Sequence, residues 1–215
     1  MSYILYHYVH CPYCVRVRMA FGYLQVPYTS KVLPYDDEAT PLSLTGKKML
    51  PALQTEYESM NESLDIIALV DKDNRLNVPE ITSADSFTAL EHELSAVGSL
   101  VHSLAMPYWI WTPEFNDSSR LYFQKKKEVK RGPFKDLVKN QATFISDITP
   151  LLKQIENDLN PFYKSKFFTL NDIVVAAHIW GLYVVPEFQF TPALHAYLQK
   201  VKEVCKFNYH QDFWS

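Results

Sequence analysis

The sequence YILYHYVHCPYC at residues 3–14 decides how the chain is expected to begin. Its first part, residues 3–9, is β-branched and aromatic, which is typical of a β-strand. Pro12 follows Cys11 and suits the first turn of a helix, where its missing N–H costs no hydrogen bond. The sequence therefore predicts a strand that turns directly into a helix, with Cys11 and Cys14 at the turn.

The segments that follow alternate between strand and helix patterns. They are a strand at residues 28–33, a helical segment at 36–46, two short strands at 51–55 and around Tyr57, and an amphipathic helix at 63–72. Ser63 is expected to cap the last helix, because a serine hydroxyl can accept an N–H of the first turn. This order predicts an α/β domain over residues 1–73.

Strand patterns nearly vanish after this domain. Residues 74–83 are polar and contain Pro79, which predicts an interdomain linker. Residues 84–215 are expected to form an all-helical domain, because apolar residues recur there at helical spacing. The three stripes are Leu90, Leu94, Val97, Val101 and Leu104; Ile145, Ile148, Leu152, Ile155 and Leu159; and Leu194, Leu198, Val201 and Cys205.

Three local features refine the helical domain. Residues 173–185 are apolar on nearly all sides, which predicts a helix at the centre of a bundle. Thr169 and Asp172 precede it with the spacing of a capping box. Pro150 is expected to kink or split the helix of the second stripe. The aromatic residues of this domain are expected to pack in the core and between domains: Tyr108, Trp109, Trp111, Phe115, Trp180 and Tyr183.

Composition excludes several classes of protein. The chain has 215 residues, of which 47% are hydrophobic and 21% charged, with a formal net charge of -3. No bulk positive charge attracts nucleic acid or an acidic membrane surface. Three cysteines are too few for a disulfide-stapled secreted domain. With no signal-peptide pattern at the N-terminus and no apolar stretch of membrane length, the protein is expected to be soluble and cytoplasmic.

The paired cysteines carry the chemistry. Unpaired N–H groups and the dipole at a helix start stabilise negative charge, so Cys11 is expected to be a thiolate nucleophile. Cys14 lies one turn further on and can attack a mixed disulfide formed at Cys11. Arg16 and Arg18 either add positive charge nearby or face solvent.

Other interpretations of the cysteines stay open at this point. His7, His10, Cys11 and Cys14 are the residue types of a zinc site, although the two histidines flank a strand end and would point in different directions. Cys11 and Cys14 could also be buried and inert. Cys205 continues an apolar stripe and is expected to be a core thiol.

Three motifs resemble known families. Cys-Pro-Tyr-Cys after an N-terminal strand resembles the glutaredoxin active site, and Met49-Leu50-Pro51 resembles the cis-proline turn of thioredoxin-fold proteins. Residues 62–66 resemble the Glu-Ser-x-x-Ile element of glutathione transferases. In length and layout the chain is similar to the large bacterial glutaredoxins, most densely up to residue 72. The resemblance implies a thioredoxin-like α/β domain followed by an all-α, glutathione-transferase-like domain.

The resemblance also implies a glutathione-dependent thiol–disulfide oxidoreductase. Cys11 would be the nucleophile and Cys14 the resolving thiol. Glutathione would be the co-substrate, with no bound cofactor or metal, and the partners would be glutathionylated or disulfide-containing proteins, met by a monomer. The residues implied to bind glutathione are Tyr13, Leu50, Pro51, Glu62 and Ser63, in which Glu62 meets the ammonium and Ser63 the carboxylate of the γ-glutamyl group.

Two other functions remain alternatives. A glutathione transferase that conjugates electrophiles would share the fold, but Cys14 would then have no purpose. A non-catalytic binding module would use its helical domain to dock a partner. An iron–sulfur cluster shared by two chains is a further possibility for glutaredoxin-like proteins.

Overall fold

A computed structural model describes residues 2–209, and a mixed four-stranded sheet opens the fold. The strands are β1 (Ile4–His7), β2 (Thr29–Val32), β3 (Ala52–Gln54) and β4 (Ser59–Met60), in the spatial order β2-β1-β3-β4. Strand β1 pairs parallel to β2 and antiparallel to β3, which pairs antiparallel to β4. Because β1 lies between β2 and β3, the turn that follows it is flanked by two strands rather than lying beside an outer strand.

Three helices complete the N-terminal half: α1 (Pro12–Leu24), α2 (Ala39–Thr45) and α3 (Ser63–Val70). Pro12 is at the first turn of α1, as its fixed φ angle predicts. The helical segment predicted at 36–46 is shorter, because the Asp37 carboxylate accepts the Thr40 N–H and the chain becomes helical only at Ala39. The expectation that Ser63 caps α3 is wrong by one residue, since Glu62 holds the cap position and Ser63 is the first helical residue.

In the described range of the second half, the regular elements are helices, and isolated β-bridges occur between residues 159 and 165. Its helices are α4 (Val78–Ser83), α5 (Asp85–Trp109), α6 (Asp117–Arg131), α7 (Phe134–Lys139), α8 (Gln141–Asn157), α9 (Leu170–Ile179) and α10 (Pro192–Val204), with a 3₁₀ segment at Trp180–Val184. The predicted linker at 74–83 thus contains a short helix, α4, which packs on α3 and α5.

Helix α9 lies at the centre of the bundle, as its all-round apolar pattern predicts. It packs against α1, α5 and α10, and its aliphatic side chains are buried. Asp172 forms the predicted capping box with Thr169, whose N–H it accepts at 2.8 Å. The same buried carboxylate accepts the Tyr163 N–H at 2.8 Å and the Tyr197 hydroxyl at 3.1 Å. This network fixes the entry to the central helix.

Two expectations for the helical domain need correction. Helix α8 is not split at Pro150, which lies at an exposed position inside the continuous helix, and a kink there stays a prediction. Of the aromatic residues expected in the core, Trp111 is 70% and Tyr183 39% exposed. Their neighbours Trp109, Phe115 and Trp180 are buried as expected, and Cys205 is a buried thiol.

The two halves share one hydrophobic core, which runs from Leu5 in β1 to Phe207 after α10. Gly22 of α1 marks the closest approach: a Cβ there would lie 1.9 Å from the Cys205 carbonyl oxygen. Arg18, also on α1, donates from Nη2 to the carbonyl oxygens of Asn208 and Tyr209 at 2.8 and 2.9 Å. Among residues 2–209, no helix combines the length and apolarity needed to cross a membrane.

Candidate active site

The turn between β1 and α1 presents the two cysteines differently. Cys11 is partly exposed and occupies the cap position of α1, whereas Cys14 is fully buried. The Tyr8 N–H donates to Cys14 Sγ at 3.4 Å. The strand-to-helix turn therefore leaves one sulfur accessible and holds the other beneath it.

The two thiols have opposite acidities. A hydrogen bond from the Cys14 thiol to the Cys11 sulfur is the largest influence that lowers the pKa of Cys11, to about 6, against the opposing effect of burial. The His10 imidazole and the backbone N–H groups of Cys14 and Tyr13 lower it further. Burial raises the pKa of Cys14, and its hydrogen bond to Cys11 adds to that rise. At neutral pH the site thus holds a thiolate at Cys11 and a thiol at Cys14. The hydrogen bond from the Cys14 thiol lowers the pKa of Cys11 more than the backbone N–H groups of the helix start do.

The third cysteine, Cys205, is a protonated thiol in the core. Cys205 is fully buried at the end of α10. Burial raises the pKa of its thiol, so it stays protonated. Its surroundings match the core role that the sequence predicts.

The arginines that follow the motif do not face solvent. Arg16 is buried, with its guanidinium 4.9 Å from the centroid of the Tyr13 ring and Nη1 3.7 Å from Glu91 Oε1 of α5. Burial lowers the pKa of Arg16, opposed by the charge of Glu91. Arg18 is also buried and holds the C-terminal carbonyls described above. Arg16 thus joins the active-site helix to the helical domain.

The residues predicted to bind glutathione surround the thiols unevenly. Leu50 packs in one small cluster with Cys14 and Cys11, and the Leu50-Pro51 peptide bond is cis, as the motif predicts. Tyr13 is 48% exposed beside Cys11. Glu62 and Ser63 lie at the start of α3, where Glu62 is exposed and Ser63 buried. Their role in binding stays a prediction.

The zinc interpretation finds no support in the geometry. His7 is buried and its Nε2 hydrogen-bonds Ser30 Oγ at 2.7 Å. His10 packs among aromatic rings, with centroids 5.2 Å from Trp109 and 5.1 Å from Phe115. Within the described part of the chain, no group of three or more His, Cys, Asp or Glu side chains is arranged to hold a metal ion.

Two residues that the sequence does not predict come to the site from the β2–α2 loop and the helical domain. Tyr35 packs on Tyr8, with ring centroids 4.9 Å apart, and on Phe123 of α6 at 4.6 Å. Lys127 of α6 has its ammonium 5.5 Å from the Tyr35 ring centroid. Burial lowers the pKa of Lys127 and the Cys11 charge opposes this, which places the ammonium within electrostatic reach of the thiolate. The signal was the basic run at 125–127, without an indication of which lysine turns inward.

The neighbouring lysines are already paired. Lys48 has Nζ 2.5 Å from Glu38 Oε1 and 2.8 Å from the Tyr122 hydroxyl. Lys126 approaches the same Glu38 carboxylate at 3.9 Å. This network ties the start of α2 to α6, whereas Lys127 interacts electrostatically with Cys11.

A cavity of about 530 Å³ lies between the domains beside the motif. Pro12 and Tyr13 form one wall, and residues of α5, α6 and α9 form the others, including His102, Arg131 and His178. Lys130 also lines it. Lys127, Lys130 and Arg131 of α6 form a group of cations, the cationic wall, of which Lys130 and Arg131 line the cavity and Lys127 lies over the Tyr35 ring. The site therefore combines a thiol pair from one domain with positive charge from the other.

Two family matches divide the chain near the predicted linker. Residues 5–77 match the family described as Glutathione S-transferase, N-terminal domain. Residues 89–213 match the family described as Glutaredoxin 2, C terminal domain.

Individual relatives agree with these matches. Glutaredoxin 2 of Escherichia coli (strain K12) is 35% identical over 156 residues, which are 71% of this chain and 71% of that protein. A crystal structure of glutaredoxin 2 from Salmonella typhimurium in complex with glutathione superposes with a TM-score of 0.84 at 28% identity, covering 98% of this chain and 97% of that one. A glutathione S-transferase of Ceriporiopsis subvermispora, at 15% identity and a TM-score of 0.76 over 97% of both chains, shares the fold.

Proposed function

The chain belongs to the glutaredoxin 2 family, and from that membership we propose that Cys11 is its nucleophile and Cys14 its resolving thiol. The protein is a glutathione-dependent thiol oxidoreductase. One observation carries the assignment of roles: Cys11 is partly exposed at the cap position of α1, whereas Cys14 is buried one turn further on. The pKa shifts agree with it, downward for Cys11 and upward for Cys14. A pKa of about 6 leaves most Cys11 ionised at pH 7.

The first step uses this difference. The Cys11 thiolate attacks the glutathione sulfur of a protein–glutathione disulfide, so a new S–S bond forms at Cys11 as the old one breaks. The protein thiolate leaves and takes a proton from water. The attack leaves Cys11 joined to glutathione, and the target thiol is restored.

Two routes regenerate Cys11. In the monothiol route, a second glutathione thiolate attacks the glutathione sulfur bound to Cys11, releasing glutathione disulfide and the Cys11 thiolate. In the dithiol route, the Cys11 thiolate first attacks one sulfur of a target disulfide, so that an S–S bond forms between Cys11 and the target, and the other target sulfur leaves as a thiolate that takes a proton from water. Cys14 then loses its proton to water and its thiolate attacks the Cys11 sulfur, which releases the second target thiolate and forms the Cys11–Cys14 disulfide. Two glutathione molecules then reduce that disulfide, so two electrons enter in each cycle.

The burial of Cys14 favours a role in the dithiol route alone. Its raised pKa keeps it protonated while Cys11 is free. Once Cys11 is in a disulfide, its negative charge is gone and the Cys14 thiol no longer has a thiolate to stabilise. The proton on Cys14 then becomes easier to lose, since both effects of Cys11 that raised its pKa have disappeared.

Glutathione is proposed to lie along Leu50 and Pro51, with its γ-glutamyl group at Glu62 and Ser63 and Tyr13 bordering the groove. The packing of Leu50 beside both cysteines supports the first contact. The N-terminus of α3 supports the second, because its free N–H groups favour a carboxylate. The glutathione complex of the Salmonella protein supports the choice of ligand.

Three further properties belong to this proposal. The substrates are glutathionylated and disulfide-containing proteins, the protein acts as a monomer without a bound cofactor, and it works in the cytoplasm. Three free cysteines, of which Cys11 is a reactive thiolate, support a reducing compartment.

A coupled assay tests the function. The protein is mixed with glutathione, glutathione reductase, NADPH and the mixed disulfide of glutathione and 2-mercaptoethanol, and NADPH consumption is followed. We expect a rate proportional to the protein. Conjugation of a chlorinated nitrobenzene to glutathione, without NADPH consumption in the first assay, would instead identify a transferase.

A further inference from the structure

We propose that the interdomain cavity beside Tyr13 binds the protein half of a mixed disulfide, and that Arg131 and Lys130 favour partners with an acidic side chain near their cysteine. This inference rests on the thiol–disulfide function proposed above. It assigns the cavity an occupant and a charge preference.

Position supports the occupant. Pro12 and Tyr13, which follow Cys11 directly, line the cavity, whereas Leu50, Pro51, Glu62 and Ser63 do not. The mixed disulfide that Cys11 attacks joins glutathione to a protein. If glutathione lies on the Leu50 side of Cys11, the cavity side is left for the protein. The volume of about 530 Å³ is within the range of ligand pockets and accommodates a few side chains of a peptide.

Arg131 is held ready for an anion. Its Nη1 donates to the Ser99 carbonyl oxygen at 2.9 Å and to Ser103 Oγ at 3.0 Å, which fixes the guanidinium at the cavity wall. Within residues 2–209, no carboxylate forms an ion pair with it. Burial lowers the pKa of Arg131, so the charge is partly desolvated without a counterion. A carboxylate of the partner would supply one.

Glu91, His102, His178 and Lys130, which also line the cavity, do not neutralise the positive charge of Arg131. Glu91 is the carboxylate in the lining, and it faces Arg16 at 3.7 Å, so its charge is matched already. Burial lowers the pKa of His102 to about 3 and that of His178 to about 4, which makes both rings neutral. Lys130 adds a second positive charge at the exposed rim. The cavity is therefore net positive in a chain whose net charge is -3.

The test compares two glutathionylated peptides that differ only in having Glu or Gln on both sides of the cysteine. The readout is kcat/KM for release of each peptide by the full-length protein. We expect the Glu peptide to be preferred by about fivefold at low salt, and by less at high salt, as for a partly exposed ion pair. Arg131→Gln should remove most of this preference and Lys130→Gln about half of it.

Lys125→Gln is the matched control. Lys125 is exposed on the same helix and does not line the cavity, so its variant should keep the wild-type preference. Because Arg131 bonds to α5, its variant is first checked by thermal unfolding, and Lys130→Gln, at an exposed position, provides the independent test.

The outcomes separate the subsite from the function. Equal turnover of both peptides by the wild-type protein, while it still reduces the small 2-mercaptoethanol disulfide, overturns the subsite alone. Loss of preference in Lys125→Gln as large as in Lys130→Gln also overturns it, because the effect would then be one of overall charge. Failure to reduce even the small disulfide overturns both proposals.

Discussion

The β1–α1 turn and the cationic wall face each other across the same site, but they are built differently. The turn places both sulfurs within one helical turn, and its hydrogen bonds act directly on the reacting atoms. The wall comes from α6, more than a hundred positions along the chain, and acts through space from half-buried or exposed cations. Both reacting sulfur atoms of the protein thus come from the N-terminal domain, whereas the cations proposed to select substrates by charge come from the helical domain. Loss of the Cys11 sulfur should affect every substrate, whereas changes in the wall should alter the ratio between substrates.

Replacing the accessible sulfur should have the largest effect. Cys11→Ser is expected to lower reduction of glutathionylated substrates by at least about a thousandfold, because an alcohol is not ionised at neutral pH. Cys14→Ser should keep a good part of this activity, since the monothiol route does not use Cys14. The coupled NADPH assay measures both, and an equal loss in the two variants would contradict the separate roles.

A change in the scaffold of the helical domain should come next in size. Asp172→Asn turns one acceptor of the buried capping network into a donor that faces N–H groups, so we expect a loss of about 2–4 kcal/mol in the free energy of unfolding. Asp117→Asn is the control: that carboxylate is 97% exposed in its pair with Arg120. Urea unfolding should show a change below about 0.5 kcal/mol for the control. Similar losses in both would mean that the Asp172 network is not a special support.

The internal hydrogen bond of the turn sets the third effect. Cys14→Ala removes the thiol that stabilises the Cys11 thiolate, so the pKa of Cys11 should rise from about 6 towards the value of about 8.5 for free cysteine. Cys14→Ser should lie between, because a hydroxyl can still donate. The rate of alkylation by iodoacetamide is measured against pH. A midpoint that stays near 6 in Cys14→Ala would assign the shift to the helix start instead.

The wall should have the smallest effect on the thiol itself. Lys127→Gln removes a positive charge within reach of Cys11, which should raise the pKa of Cys11 by a few tenths of a unit. Lys125→Gln, on the exposed side of α6, should leave the alkylation profile unchanged. A shift above about one unit in Lys127→Gln would show that the wall takes part in the activation of the nucleophile.

The sequence predicts the turn better than the wall for a physical reason. The strand, Pro12 and the cysteine spacing are local, whereas the cis bond before Pro51 was implied by the resemblance of Met49-Leu50-Pro51 to the turn of thioredoxin-fold proteins. The capping box at Thr169 and Asp172 is local as well, and it was predicted for the same reason. Short-range patterns carry information about backbone conformation wherever neighbours in the chain are also neighbours in space.

Long-range features were missed because the pattern does not encode their direction. Residues 125–127 are three consecutive lysines, and only the packing of α6 on Tyr35 turns Lys127 towards the thiols. The sequence leaves the direction of Arg16 open, and in the structure its buried guanidinium lies 3.7 Å from Glu91 of a distant helix. The split expected at Pro150 does not occur, because an exposed position in a long helix can lose one backbone hydrogen bond without ending the helix.

The close approach of Gly22 to the Cys205 carbonyl limits how this architecture can be recombined. A chimaera that joins this thioredoxin-like half to a helical half from another protein would need a main-chain segment at the same place, with no side chain between. Even an alanine at position 22 would require the end of α10 to move, since its Cβ would overlap a backbone oxygen. Exchange of either half is therefore constrained near the C-terminal end of α1, whereas Cys11 lies at the start of this helix. A comparison of catalytic residues alone would not reveal this constraint.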